Sequence, residues 1–113
     1  MKKLLVSLVI CVVVLISGIV IAGQFPQIYN TTLAIADTEY SQYVTGVKKF
    51  TIQCQTAYDV RIAFATGYVA TPTAPYETIK AGAAYWEDDV IFDGTLYFAT
   101  DEAGVVVETT VWR

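Results

Sequence analysis

Two patterns divide the chain. Residues 4–22 (LLVSLVICVVVLISGIVIA) carry no charge and no polar face, whereas beyond residue 24 apolar and polar positions alternate in short runs. A secretory signal combines a positive start, an apolar run of about 7–15 residues and a small-residue cleavage site. A membrane-spanning helix needs about 20 apolar residues. The nineteen residues here, preceded by Lys2 and Lys3, fit a span, and Val20-Ile21-Ala22 also offers a cleavage site. In both readings the lysines stay inside and the remainder is exported. The expected organisation is therefore an N-terminal signal-anchor or signal peptide over residues 1–23 and an exported domain over residues 24–113. The chain is then a single-pass membrane protein with its C-terminal domain extracytoplasmic, or a secreted one if the segment is cleaved.

Within the exported part the period is two, the spacing of half-buried strands. Phe50, Ile52 and Cys54 alternate with Thr51, Gln53 and Gln55, and Val60, Ile62 and Phe64 with Arg61, Ala63 and Ala65. Leu96 and Phe98 form a third inward set, and Val105, Val107, Thr109 and Val111 a fourth. Further strands are expected near residues 29–36, 76–79 and 84–87. Thr45-Gly46, residues 56–59, Lys80-Ala81-Gly82 and residues 101–104 read as turns. Asp93-Gly94, between two apolar runs, predicts a tight hairpin. The sum is an all-β fold of about seven or eight short strands, a small antiparallel β-sandwich of jelly-roll or Ig-like type preceded by one N-terminal transmembrane or signal helix. Residues 67–75 (GYVATPTAP) hold two of the three prolines and form either a functional loop or a mobile connection. Val105 to the final residues should be the closing strand of the fold.

Charge narrows the functions. The chain has seven basic and eleven acidic side chains; without Lys2 and Lys3 the exported part carries −6. An acidic domain without a basic stripe argues against nucleic acid. Histidine is absent, which removes the commonest general base and metal ligand. Ser41, the only exported serine, has no triad partners. Cys54 is the only exported cysteine, so no internal disulfide forms, and its alternation with Phe50 and Ile52 predicts a buried structural thiol. No phosphate loop is present. No catalytic residue, cofactor or metal is expected. Glu87, Asp88, Asp89 and Asp93 could offer oxygen ligands to calcium, but they lack the spacing of a calcium loop.

Eight tyrosines are the remaining surplus. Trp86 stands between Tyr85 and three consecutive carboxylates, so Tyr85, Trp86, Glu87, Asp88 and Asp89 are the expected binding surface: rings supply contact area and charges set specificity.

Several phrases in order, Thr38-Glu39-Tyr40-Ser41-Gln42, Lys48-Lys49-Phe50-Thr51-Ile52-Gln53-Cys54, Asp59-Val60-Arg61-Ile62-Ala63-Phe64, Tyr85-Trp86-Glu87-Asp88 and Gly94-Thr95-Leu96-Tyr97, carry a resemblance over residues 31–113. The sequence resembles small β-rich proteins of tailed bacteriophages, of the virion structural and decoration kind. That resemblance implies a β-rich fold and no catalytic signature; the N-terminal segment is a departure from it. The leading expectation is a non-enzymatic, membrane-anchored or secreted binding or assembly protein of phage or bacterial origin. The alternatives are a virion structural or decoration protein and an exported carbohydrate-binding module. Candidate partners are a membrane through residues 4–22, a protein or glycan ligand, and a second copy of the chain.

Overall fold

The computed structural model describes residues 26–113; the apolar segment, with its expected span or signal and Cys11, lies outside the described residues. The described residues form eight strands and no helix: β1 (Gln27–Leu33), β2 (Tyr40–Val47), β3 (Lys49–Cys54), β4 (Val60–Ala63), β5 (Glu77–Ile79), β6 (Ala84–Glu87), β7 (Phe92–Ala99) and β8 (Val105–Trp112). They make two four-stranded antiparallel sheets, ordered β1-β8-β3-β6 and β2-β7-β4-β5. The expected all-β sandwich is therefore present.

The pairing follows one rule. β1 pairs with β8, β2 with β7, β3 with β6 and β4 with β5, so the chain is a long antiparallel ribbon folded back at residues 64–76 and then rolled up. Rolling adds the β3–β8 and β4–β7 pairs. Where one arm of the ribbon crosses between sheets, the other crosses beside it and the two are bonded. Asp37 N–H donates to the Thr100 carbonyl and Gly104 N–H to that of Leu33; Val90 N–H donates to the Lys48 carbonyl. At the third crossing the Asp59 carboxylate accepts from Ala81 N–H at 2.8 Å and from Lys80 Nζ at 3.2 Å, which holds its pKa below the usual carboxylate range.

Alternation fills the core as expected. Phe50, Ile52, Val60, Ile62, Leu96, Phe98, Val105, Val107 and Val111 are buried between the sheets, joined by Leu33, Val44, Val47 and Ile79. Cys54 lies on this face but is only half-buried, with Sγ 3.3 Å from Thr56 Oγ1. At the end of β3 the partner sheet no longer covers it fully.

Two turn expectations are overturned together. Asp93-Gly94 is not a hairpin: β7 runs straight through it. Thr45-Gly46 is not a turn ahead of β3, but a bulge inside β2, a strand that alternation did not reveal. Val44 pairs with Gly94 and Val47 with Phe92, so Thr45 and Gly46 together oppose Asp93. The extra residue lets Val44 and Val47, three apart, both face the core. Asp93 fixes the bulge, accepting from Thr45 Oγ1 at 2.8 Å and Gly46 N–H at 2.5 Å, and both bonds lower its pKa. Gly46 has φ +64°, and a Cβ on Gly94 would approach the Phe92 ring to 3.2 Å. The dipeptide thus serves a bulge and a ring contact.

The long loop is ordered against the outer face of the second sheet. Val69 is buried with Ala63 and Ala99, and Tyr68 and Tyr97 flank them. Arg61 reaches up from β4, donating from Nε to the Val69 carbonyl at 2.7 Å and from one Nη to Asp37 at 2.9 Å. Glu39 accepts from Thr66 Oγ1 and Gly67 N–H.

Candidate functional site

β5 and β6 are the edge strands on one side of the sandwich, with three and four residues. Such short edges leave the space between the sheets incompletely covered there. Side chains alternate, so Glu77 shares its side with buried Ile79, and Tyr85 and Glu87 point inward opposite Ile52 and Phe50. Phe64 extends the inward set of Val60 and Ile62 one step past the end of β4. Inward acids on edge strands also discourage edge-to-edge pairing.

Rings gather in this opening. Phe50, itself only 2 % exposed, lies 6.4 Å from Phe64, 6.1 Å from Tyr85 and 5.7 Å from Phe92, measured between centroids. Phe64 is in turn 6.3 Å from Tyr85 and 5.9 Å from Phe92. These separations suit edge-on and offset ring contacts. Phe64 remains 50 % exposed, and Ile91, in the crossing from β6 to β7, is 95 % exposed. Phe64 stands between two cavities. One, about 340 Å³, lies toward Tyr68, Pro75, Tyr76 and Glu77. The other, about 290 Å³, is bounded by the four rings, Glu87, Val90 and Ile91. Both volumes are near the lower end for small-ligand pockets, about 300 Å³.

Tyr85 donates its hydroxyl to Glu87 Oε1 at 2.7 Å. Burial pushes the phenol up to about 12, and the bond to Glu87 and the charges of Glu87 and Glu77 act in the same direction. The phenol is thus a neutral donor at ordinary pH.

The five residues singled out by sequence do not form one surface. Tyr85, Trp86 and Glu87 sit on strand β6 itself, where alternation separates them. Tyr85 and Glu87 face the opening. Trp86, 59 % exposed, faces the other way, onto the outer side of the first sheet in a row with Thr51, Thr110 and Ile28. Asp88 lies 3.9 Å from Lys49, whose Nζ sits 4.9 Å from the centre of the Trp112 ring. Asp89 occupies a turn with φ +52°. Asp93 serves the bulge, so Glu87, Asp88 and Asp93 of the four acids considered for calcium each meet a different partner. Among the described residues no group of three metal-ligating side chains converges. The opening is completed by Phe50, Phe64, Ile91, Phe92 and Glu77; alternation assigns Phe50 and Phe64 to the core and none of the five to a binding surface. The available signals were a phenylalanine continuing the β4 alternation beyond the strand, and Ile91, an apolar residue just after two aspartates.

Comparison of the chain with protein-family models, with curated proteins and with solved structures gave no match.

Proposed function

We propose that this protein is a non-enzymatic binding module, a jelly-roll β-sandwich held outside a membrane or secreted through residues 4–22, which engages its partner at the open β5–β6 side. The jelly-roll reading rests on the strand orders β1-β8-β3-β6 and β2-β7-β4-β5, in which the two arms of one ribbon face each other. The observation that carries the binding assignment is the exposure of Phe64 and Ile91 beside two apolar cavities. Clustered exposed apolar side chains at a concave site mark an interaction surface, whereas isolated ones are ordinary. The absence of histidine and of a serine triad supports a role without catalysis. Jelly rolls also build capsid and lectin domains, so the same strand order supports a virion decoration role as the second reading.

Site-specific photo-crosslinking in the producing cell tests the surface. A photoreactive residue at position 91 should give a discrete adduct, and one at position 32, on the β1 edge across the first sheet, should not. Equal labelling from both positions, or none from position 91, overturns the assignment.

A further inference from the structure

The smaller cavity has a specific chemistry. Four aromatic rings form most of its wall, and Glu87 is the carboxylate at its side. Ring faces carry negative potential and attract cations held within about 6 Å of their centres. Oε1 of Glu87 accepts the Tyr85 hydroxyl, while no hydrogen bond engages Oε2 among the described residues. Glu77, which lines the neighbouring cavity, adds a second negative charge that acts on Tyr85. Lys49 is turned away to the outer face, between Asp88 and Trp112. The site therefore favours positive charge.

The kind of cation follows from the hydrogen-bonding inventory. A primary ammonium brings three donors and a tightly held water shell, and a guanidinium brings five donors. One carboxylate with a single free oxygen among rings satisfies neither. A quaternary ammonium has no donor to satisfy, and its methyl groups suit apolar walls. We propose that the open cavity lined by Phe50, Phe64, Tyr85, Phe92 and Glu87 binds a quaternary ammonium group. This rests on the reading of the β5–β6 side as the binding surface and names the chemistry recognised there. Such a group occurs on free cations and on phospholipid headgroups. The carboxylates of Glu87 in this cavity and Glu77 in the neighbouring one disfavour an adjacent phosphate, so the cation is carried without one.

The test uses the full chain in an uncharged maltoside detergent, with methyl-labelled isoleucine observed by NMR during titration with choline. Choline should shift the Ile91 methyl saturably and leave Ile28 and Ile35, exposed elsewhere, in place. Dimethylbutanol, the uncharged carbon isostere of choline, should bind at least about tenfold more weakly, because it lacks the charge. Ethanolamine, a primary ammonium, and phosphocholine should also bind more weakly than choline. Glu87→Gln, which can still accept the Tyr85 hydroxyl, should reduce choline affinity about tenfold by removing one nearby charge. A melting curve of that variant establishes that it is folded. No saturable shift at Ile91, an isostere that binds as well as choline, or a folded Glu87→Gln variant with unchanged affinity would each overturn the proposal. Phosphocholine binding more tightly than choline would assign the cavity to lipid headgroups and overturn the argument from the two carboxylates. A crosslink from position 91 without any choline response would leave the binding surface standing and remove only the cation.

Discussion

Replacing Arg61 by methionine isolates the contacts that hold the tip of the ribbon to the sheet. The side chain is 14 % exposed, and its Nε meets the carbonyl of fully buried Val69 at 2.7 Å. Methionine fills much of the same apolar volume but leaves that carbonyl without a donor. A hydrogen bond from a charged group contributes about 1.5–3 kcal/mol, and an orphaned buried acceptor costs about 1–3 kcal/mol. The 2.9 Å ion pair to Asp37 adds little, since Asp37 is mostly exposed and such pairs contribute about 0–1 kcal/mol. Relief from burying a charge works in the opposite direction. The net expectation is a loss of about 2–4 kcal/mol. For a domain of this size each kcal/mol moves the melting temperature by about 4–8 °C, so Arg61→Met should melt roughly 10–25 °C lower. Arg61→Lys, which keeps the charge but not the planar fork, should fall between the two. Lys80→Met removes the exposed 3.2 Å pair with Asp59 and serves as the comparison; it should move the midpoint by no more than a few degrees, the effect of about 0.5 kcal/mol. The assays are thermal unfolding followed by circular dichroism and limited proteolysis of residues 64–76. An Arg61→Met variant that melts with the Lys80→Met control and keeps its tip uncleaved would refute the idea that Arg61 pins the loop.

Two further outcomes follow from single side chains. The folded-state pKa of Asp93 is depressed, so its stabilisation of the bulge is fully present well above the ordinary aspartate range and is lost as pH falls through that range and then through the lower folded value; Asp93→Ala should be less stable at neutral pH and converge with the parent in acid, as measured by denaturant titrations across pH. A gap that persists unchanged at the acid end would exclude the carboxylate as its cause. Thr109 is fully buried and its hydroxyl has no hydrogen-bond partner among the described residues, so Thr109→Val should stabilise the domain by about 1 kcal/mol, read as a higher melting temperature; a lower one would show that the hydroxyl is satisfied.

Much of the fold was legible because alternation reports burial directly. β3, β4 and β8 read as clean period-two runs, and their apolar positions became the core. β2 was hidden for a physical reason: Val44 and Val47 are three apart, and only the bulge puts both on one face. Asp93-Gly94 has the composition of a turn, yet the aspartate is used as an acceptor across strands and the glycine makes room for Phe92. Neither use leaves a local signature: the partners of the aspartate are distant in sequence, and a glycine that makes room for a ring two residues away has the same composition as one in a turn. The same limit governed the site. Tyr85 and Trp86 are neighbours in the chain, but a strand sends them to opposite faces. Phe50, Phe64 and Phe92 meet because three different strand ends converge at one side of the sandwich.

The bonded crossings of the ribbon also bear on how the chain reaches this arrangement. Gln27 and Val111 pair although they lie at opposite ends of the described chain, and closing so long a loop in one step carries a large entropy cost. The nesting of the pairs provides a sequence of short closures instead. Once Val60 meets Ile79 across the tip, β3 and β6 are already neighbours, then β2 and β7, and finally β1 and β8. Each closure adds only the few residues of one crossing to a loop whose ends are already held. A topology dominated by distant pairings, which ordinarily folds slowly, thereby contains a route on which every individual search is local. On that route β1, the strand that follows the N-terminal segment, is the last to be secured.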